Sequence, residues 1–142
     1  MSERFIAPQP QGNGSGTSWE NAAALDDLSR MVGGAGPGGR VFLRADAGPY
    51  VQRSPNIHAG GAAGAPVHVM GVDGAGRPMA ADIVGARDAP YDPAGELGRE
   101  GIRLMDGARY LTFSHLNFVN QGNGCIRVAA DMAGLTVEDV TA

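Results

Sequence analysis

The sequence predicts an all-β fold of the parallel β-helix type, a solenoid in which short strands stack in successive turns called rungs. Three observations favour it. The chain of 142 residues contains 23 glycines, which disfavour long helices and suit turns. Its apolar residues fall in runs of about three to five, separated by Gly-rich turns. The last of these runs repeat at a fixed offset, and a period of roughly 20–30 residues is typical of stacked units.

The repeat covers seven positions, of which four are identical and three exchange one apolar residue for another. Three short strands per period fit a β-helix rung, whereas leucine-rich repeats of similar period carry a Leu and Asn ladder that is missing here. Alternation along a strand predicts that Leu111 and Phe113 point inward and Thr112 outward. The offset of 24 residues pairs Ile102 with Ile126, Arg103 with Arg127, Leu104 with Val128, Leu111 with Leu135, Thr112 with Thr136, Phe113 with Val137 and Leu116 with Val140.

The N-terminal region predicts a short strand and a helix. Residues 4–7 form an apolar run, and a loop rich in Pro, Gly and Asn follows. Thr17 and Glu20 have the spacing of a capping box, and the apolar residues behind them recur close to helical spacing. We therefore predict a helix over residues 18–31, stopped by Gly33 and Gly34. The predicted division is 1–40 for the strand, loop and capping helix, and 41–142 for the rungs.

Three segments are distinctive. In residues 14–22, a Gly-rich loop is followed by Ser-Trp at the predicted start of the helix. In residues 36–50, a predicted strand lies between a Pro-Gly turn and the sequence Gly-Pro-Tyr. In residues 61–67, a Gly-rich turn is followed by Pro and then Val. Together they resemble the N-terminal region of the pectin-lyase-like, right-handed parallel β-helix proteins. The chain departs from the family pattern at Gly39-Arg40, where an Asp-Thr pair is usual, and at Pro49, where Thr is usual.

The resemblance implies a right-handed solenoid with an N-terminal capping α-helix. Because family members run for many more rungs, we expect a chain that is truncated at its C-terminus, with an open last rung that can self-associate. The implied function is the N-terminal portion of a protein that binds or processes polysaccharide, not catalytic by itself. If the full-length protein is an enzyme, the resemblance implies a polysaccharide lyase or a glycoside hydrolase.

The catalytic patterns sought in this fold are missing from the sequence. Neither Arg-x-Pro-x-x-Arg nor a paired Asp-Asp with a later Gly-His-Gly is found. The alternative function is a non-catalytic structural, adhesive or phage-tail-type β-helix module. A third hypothesis, a nucleotide-binding domain, rests on the G-x-G-x-x-G letters of Gly34, Gly36 and Gly39. That loop follows a helix and precedes a strand, which is the reverse of the order that such a site needs.

Arg103 and Arg127 are the predicted substrate-binding residues. They lie mid-strand one period apart, so stacking would place both guanidinium groups on one outer face. A planar, permanently charged guanidinium suits carboxylates, including those of uronic acids. The resemblance places this strand face beside the usual saccharide groove. The alternative is that nearby acids, Glu100, Asp106 and Asp131, simply neutralise the two cations.

A second polar group lies at the predicted turn between the second and third strands of successive rungs. His115 and Asp139 are one period apart there, with Glu138 beside them. A histidine near a carboxylate can serve as a base, and the alternative is a solvated turn pair. His58 and His68 show no metal-ligand spacing and are expected to be surface or structural residues.

The amino-acid composition argues against several other kinds of protein and site. The net charge of −4 argues against a general nucleic-acid binder, and the lack of any Lys excludes lysine chemistry. Cys125 is the only cysteine, so neither an intrachain disulfide nor a multi-cysteine zinc site can form. The loop at 86–99 carries Asp88, Asp92 and Glu96 without a calcium-loop motif and is interpreted as a solvated insertion. We expect no cofactor and no metal.

The expected partner is an acidic polysaccharide, with no nucleic acid and no membrane. No secretory signal and no membrane-spanning run are visible in the sequence. The resembled fold is commonly extracellular, but the sequence assigns no location.

Overall fold

The computed structural model describes residues 2–51, 53–87 and 100–142. This part of the chain consists mostly of strands, with one α-helix, α1, at Leu28–Ala35 and two 3₁₀ turns at Trp19–Asn21 and Leu25–Asp27. The prediction of an all-β fold is therefore confirmed. The strands are β1 Glu3–Ile6, β2 Arg40–Arg44, β3 Tyr50–Val51, β4 Asn56–Ile57, β5 Val67–Val72, β6 Ala81–Val84, β7 Glu100–Leu104, β8 Leu111–Val119, β9 Gly124–Val128 and β10 Leu135–Thr141.

Every pairing between these described strands is parallel, and the strands form two sheets. In the larger, curled sheet, β1, β2, β5, β8 and β10 lie side by side, while β6 pairs with the later part of β8 and β3 pairs with β6. The smaller sheet has the order β4-β7-β9. The predicted parallel strands over 41–43, 67–69, 111–113 and 135–137 are confirmed, and Leu135 lies opposite Leu111 as predicted.

The larger sheet curls because β8 bends at His115. This residue has a φ of 53°, a left-handed conformation that is uncommon outside glycine. Before the bend, Leu111–Ser114 pair with β5, and after it Leu116–Val119 pair with β6. β10 bends in the same way at Asp139, whose φ is 50°. The predicted turn between the second and third strands is thus a one-residue bend inside a continuous strand.

The helix predicted over residues 18–31 is wrong in its bounds. Ala23 is extended and bridges Ile6, with Ala23 N donating to Phe5 O at 2.9 Å and Ala7 N donating to Ala23 O at 3.0 Å. These tertiary hydrogen bonds override the local helical pattern, so α1 begins only at Leu28.

The capping box and the helix stop are also wrong. The Thr17 hydroxyl pairs with the Ser15 hydroxyl at 2.9 Å, and no side-chain cap bond forms at the first 3₁₀ turn. The helix runs through Gly33 and Gly34 and ends at Ala35, and the next residue, Gly36, caps it with a φ of 71° that suits glycine.

One apolar core joins both sheets and the helix. Leu111 and Phe113 of the larger sheet, Ile102 of the smaller sheet and Leu28 of α1 all belong to it and are fully buried. The inward positions of Leu111 and Phe113, and the outward position of the half-buried Thr112, match the predicted alternation. The core therefore fixes which side chains face outward on every strand, and the candidate sites lie among those.

Candidate binding site

The smaller sheet brings the two predicted binding residues together. Arg103 of β7 and Arg127 of β9 are register partners, flanked by the pairs Ile102 with Ile126 and Leu104 with Val128. Ile102 and Leu104 are buried, whereas the arginines alternate with them and face outward. Paired strands lie about 4.8 Å apart, so the two side chains leave neighbouring points of one sheet face.

Arg127 has a carboxylate partner. Its Nη1 lies 3.2 Å from Oε1 of Glu100, whose side chain is only 11% exposed, while the Arg127 side chain is 59% exposed. The alternative interpretation, in which Glu100 neutralises a cation, is therefore realised at this arginine. A guanidinium has five N–H donors, so one carboxylate leaves most of the Arg127 donors directed to solvent.

Arg103 is fixed by the backbone of a neighbouring strand connection. Its Nη2 donates to the carbonyl oxygen of Ser54 at 3.0 Å. This hydrogen bond orients the guanidinium along the sheet face. The two guanidinium groups therefore lie side by side on this face, one held by a carboxylate and the other by a backbone carbonyl.

The second polar group is larger than the sequence predicts. His115 Nε2 lies 4.0 Å from Oδ2 of Asp139, so the predicted approach of these two residues is present. In addition, His115 Nδ1 lies 3.2 Å and His68 Nε2 lies 2.6 Å from the hydroxyl of Ser114. His68 and Ser114 are missing from the predicted group, because their proximity depends on the register of β5 with β8.

This group is a network of polar contacts that links β5, β8 and β10. Burial lowers the pKa of His68, with the neighbouring Glu138 carboxylate acting in the opposite direction. The Ser114 hydroxyl lies within hydrogen-bonding distance of both His68 Nε2 and His115 Nδ1, and a hydroxyl can donate one hydrogen bond and accept others. Ser114 is only 1% exposed. The Ser114 hydroxyl is therefore enclosed, whereas the His115 and Asp139 side chains are 30% and 72% exposed.

Two other residues singled out from the sequence, His58 and Cys125, lie within the described ranges. His58 Nδ1 lies 3.2 Å from the backbone oxygen of Asp106, and burial raises the pKa of the Cys125 thiol. Across residues 2–51, 53–87 and 100–142, no cluster of three or more His, Cys, Asp or Glu side chains is arranged to hold a metal ion. The acidic positions Asp88, Asp92 and Glu96 lie outside the described residues.

The Gly34–Gly39 segment has the predicted context, since it runs from the end of α1 to β2. Among the described residues, no helix combines the length and apolar character needed to cross a membrane. Comparison with known proteins yields no match to a protein family, to a curated protein or to a solved structure.

Proposed function

We propose that this chain forms the first rungs of a right-handed parallel β-helix of the pectin-lyase-like type, with α1 as its N-terminal cap. The parallel pairing at a 24-residue offset, Leu111 with Leu135 and Arg103 with Arg127, supports the proposal. Left-handed bends at His115 and Asp139 support it too, because equivalent bends in successive rungs keep their strands in register.

The proposed function is binding of an acidic polysaccharide, without turnover by this chain. The observation that carries it is the register pairing of two outward arginines on β7 and β9. An anion that bridges both arginines accepts hydrogen bonds from both guanidinium groups. The carboxylate of a uronic acid matches the planar fork of a guanidinium and can accept two parallel hydrogen bonds.

The expected affinity is low. An exposed ion pair contributes about 0–1 kcal/mol, so two such contacts give at best millimolar binding. Glu100 weakens the attraction further, since its carboxylate already occupies part of Arg127. Binding should also weaken as salt is raised, because exposed charges are screened over about 10 Å at 0.1 M ionic strength.

The test is a titration of oligogalacturonate into the parent chain and into the Arg103→Ala, Arg127→Ala double variant, at low and high salt. We expect binding by the parent that salt weakens, and loss of most of it in the variant. The matched control is the Arg30→Ala, Arg77→Ala double variant, which removes the same charge from α1 and from the turn after β5.

Three results would contradict the proposal. Equal binding by the parent and the Arg103, Arg127 variant would remove these residues from the site. No binding by the parent would favour a structural or adhesive module instead. Cleavage of the oligosaccharide by the parent would contradict the absence of catalysis.

A further inference from the structure

Two Asn-Gly pairs occur in the chain, Asn13-Gly14 and Asn123-Gly124. An asparagine followed by glycine is prone to lose its side-chain ammonia, because glycine has no side chain to hinder the approach of its nitrogen to the amide carbon. The two pairs are sterically alike. Both asparagines are exposed, and a Cβ added to either glycine would meet no atom beyond its chain neighbours within 4 Å. A difference in reactivity between them therefore comes from their hydrogen bonds.

Hydrogen bonds constrain the first pair. Gly14 N donates to Gln11 O at 2.9 Å, and Asn13 Oδ1 accepts from Ser15 N at 3.0 Å. Asn13 N also donates to Asn21 Oδ1 at 3.1 Å. The Gly14 nitrogen can attack the Asn13 side chain only after the first two of these bonds have opened. The loop therefore protects Asn13.

The second pair lies at the start of β9, which has one neighbour, β7, among the described strands. The register of the two strands is uninterrupted from Glu100 with Gly124 to Leu104 with Val128. Ala129 N donates to Leu104 O at 2.8 Å, and the N–H groups of a strand point to a given neighbour at every second residue. The N–H of Gly124 therefore points away from β7, towards the outer edge of β9.

The Asn123 side chain is unconstrained as well. In the part of the chain that the structure describes, none of its side-chain atoms makes a hydrogen bond. Asn123 lies in the exposed turn between β8 and β9. Its amide group can therefore rotate towards the Gly124 nitrogen without breaking a contact.

We propose that Asn123 is a site of spontaneous deamidation, with water as the co-reactant. The Gly124 nitrogen loses its proton to hydroxide and bonds to Cγ of Asn123, and the Cγ–Nδ2 bond breaks to release ammonia. Water then opens the resulting succinimide ring at either of its two carbonyl carbons, which gives aspartate or isoaspartate. In the net reaction, one amide and one water become one carboxylate and one ammonium ion.

Both products change the start of β9, the strand that carries Arg127. Each adds one negative charge directly before the strand. The isoaspartate also adds one carbon atom to the main chain before Gly124, so the backbone no longer matches β7 at Glu100. We expect the amides of β9 to exchange faster with solvent in the isoaspartyl form than in the parent.

The test compares the two Asn-Gly pairs in one dilute sample of the 142-residue chain, kept at mildly alkaline pH in heavy-oxygen water. Mass spectrometry with peptide fragmentation locates the incorporated oxygen. We expect Asn123 to react roughly tenfold faster than Asn13, because the opening of two hydrogen bonds slows ring closure at Asn13. A rate at Asn123 no greater than that at Asn13 would overturn the proposal.

Protein isoaspartyl methyltransferase tests the route, since it methylates isoaspartate and only ring opening produces that residue. We expect methyl transfer to the peptide of residues 110–127. Incorporated oxygen without isoaspartate would contradict the ring closure by Gly124.

Unfolding in urea is the control for local sequence, because both pairs lose their hydrogen bonds there. The two rates should approach each other in urea, and an unchanged ratio would contradict the structural explanation. Asn123→Gln is the matched variant, because its longer side chain would have to close a larger, less favoured ring. Oxygen uptake in residues 110–127 should disappear in this variant, and its persistence would place the reaction at another residue.

Discussion

At the residue scale, the outer face of the larger sheet is organised by side chains that register brings together. His68 belongs to β5 and Ser114 to β8, yet they share a 2.6 Å hydrogen bond. The sequence predicts the approach of His115 to Asp139 from the 24-residue offset, because both follow repeated apolar runs. The sequence does not predict that His68 joins this group, because the repeat does not extend to β5 and no local pattern reveals the register of β5 with β8.

The depressed pKa of His68 predicts a pH dependence of stability. Its pKa is lower in the folded protein than in the unfolded chain, so the unfolded chain binds the proton first as the pH falls. The stabilisation from neutral His68 is full above the unfolded pKa of about 6.5 and is lost as pH falls towards the folded value. Urea unfolding from about pH 7 to pH 5 should show a shallower loss of stability for His68→Gln than for the parent. An equal loss of stability with falling pH in His68→Gln and in the parent would contradict this prediction.

Tyr50 offers a second test at this scale. Its side chain is buried, and its hydroxyl lies 3.1 Å from the carbonyl oxygen of Ile6 and 3.0 Å from that of Arg44. Burial also raises the pKa of its phenol, so the hydroxyl remains a donor across the ordinary pH range. Tyr50→Phe should lower the free energy of unfolding by about 1 kcal/mol.

The matched control for that change is Tyr110→Phe. Among the described residues, the Tyr110 hydroxyl makes no hydrogen bond, so its removal should change stability by less than about 0.5 kcal/mol. Both variants are compared by urea unfolding. Equal effects at the two positions would show that the Tyr50 hydrogen bonds contribute nothing specific.

At the element scale, α1 illustrates competition between local and tertiary preferences. The sequence correctly predicts that Leu25 and Leu28 pack inward, since both are buried in the core, although Leu25 lies in the 3₁₀ turn before α1. The predicted start of the helix is wrong because Ala23 pairs with β1, and no local pattern reveals that bridge. The predicted end of the helix is wrong because α1 continues through Gly33 and Gly34, which are both exposed. The buried side chains of Val32 and Ala35 hold this last turn against the core.

Two substitutions in α1 should act in opposite directions. Leu28→Asp places a charge at a fully buried position and should cost several kcal/mol. Gly33→Ala fills an exposed site where the new Cβ would lie 3.8 Å from the Cβ of Ala59, an ordinary contact. The lower entropy of the unfolded chain should then raise stability by about 0.5–1 kcal/mol.

Urea unfolding of both α1 variants measures these changes. Parent-like stability of Leu28→Asp would show that the helix does not contribute to the core. Destabilisation by Gly33→Ala would show that α1 is strained at that position.

At the scale of the whole molecule, the 24-residue offset accounts for what the sequence predicts well. It pairs residues that turn out to be register partners, including Arg103 with Arg127, because each strand repeats the apolar alternation of the strand before it. The salt bridge between Arg127 and Glu100 was one of the alternatives that the sequence left open, because which acid reaches which arginine depends on side-chain reach across β7 and β9. The ring contacts of Phe5 with Trp19 and with Phe42 also depend on pairs distant in sequence.

The exposure of β9 and β10 leads to the last prediction. Leu135 and Val137 continue the inward row of Leu111 and Phe113, yet they are 37% and 47% exposed, and Val128 of β9 is 49% exposed. Apolar side chains beside unpaired backbone groups favour pairing with another chain. We therefore expect the 142-residue chain to self-associate through this edge, or to fray over residues 125–142.

Sedimentation and amide hydrogen exchange on the same sample test this expectation. The Val137→Lys variant places a charge on the exposed row and should remain monomeric at concentrations where the parent associates, because edge lysines oppose strand addition. In the monomer, amides of β10 should exchange faster than those of β2 and β5, each of which is paired on both sides. A strictly monomeric parent whose β10 amides are as protected as those of β5 would show that this edge is stable on its own.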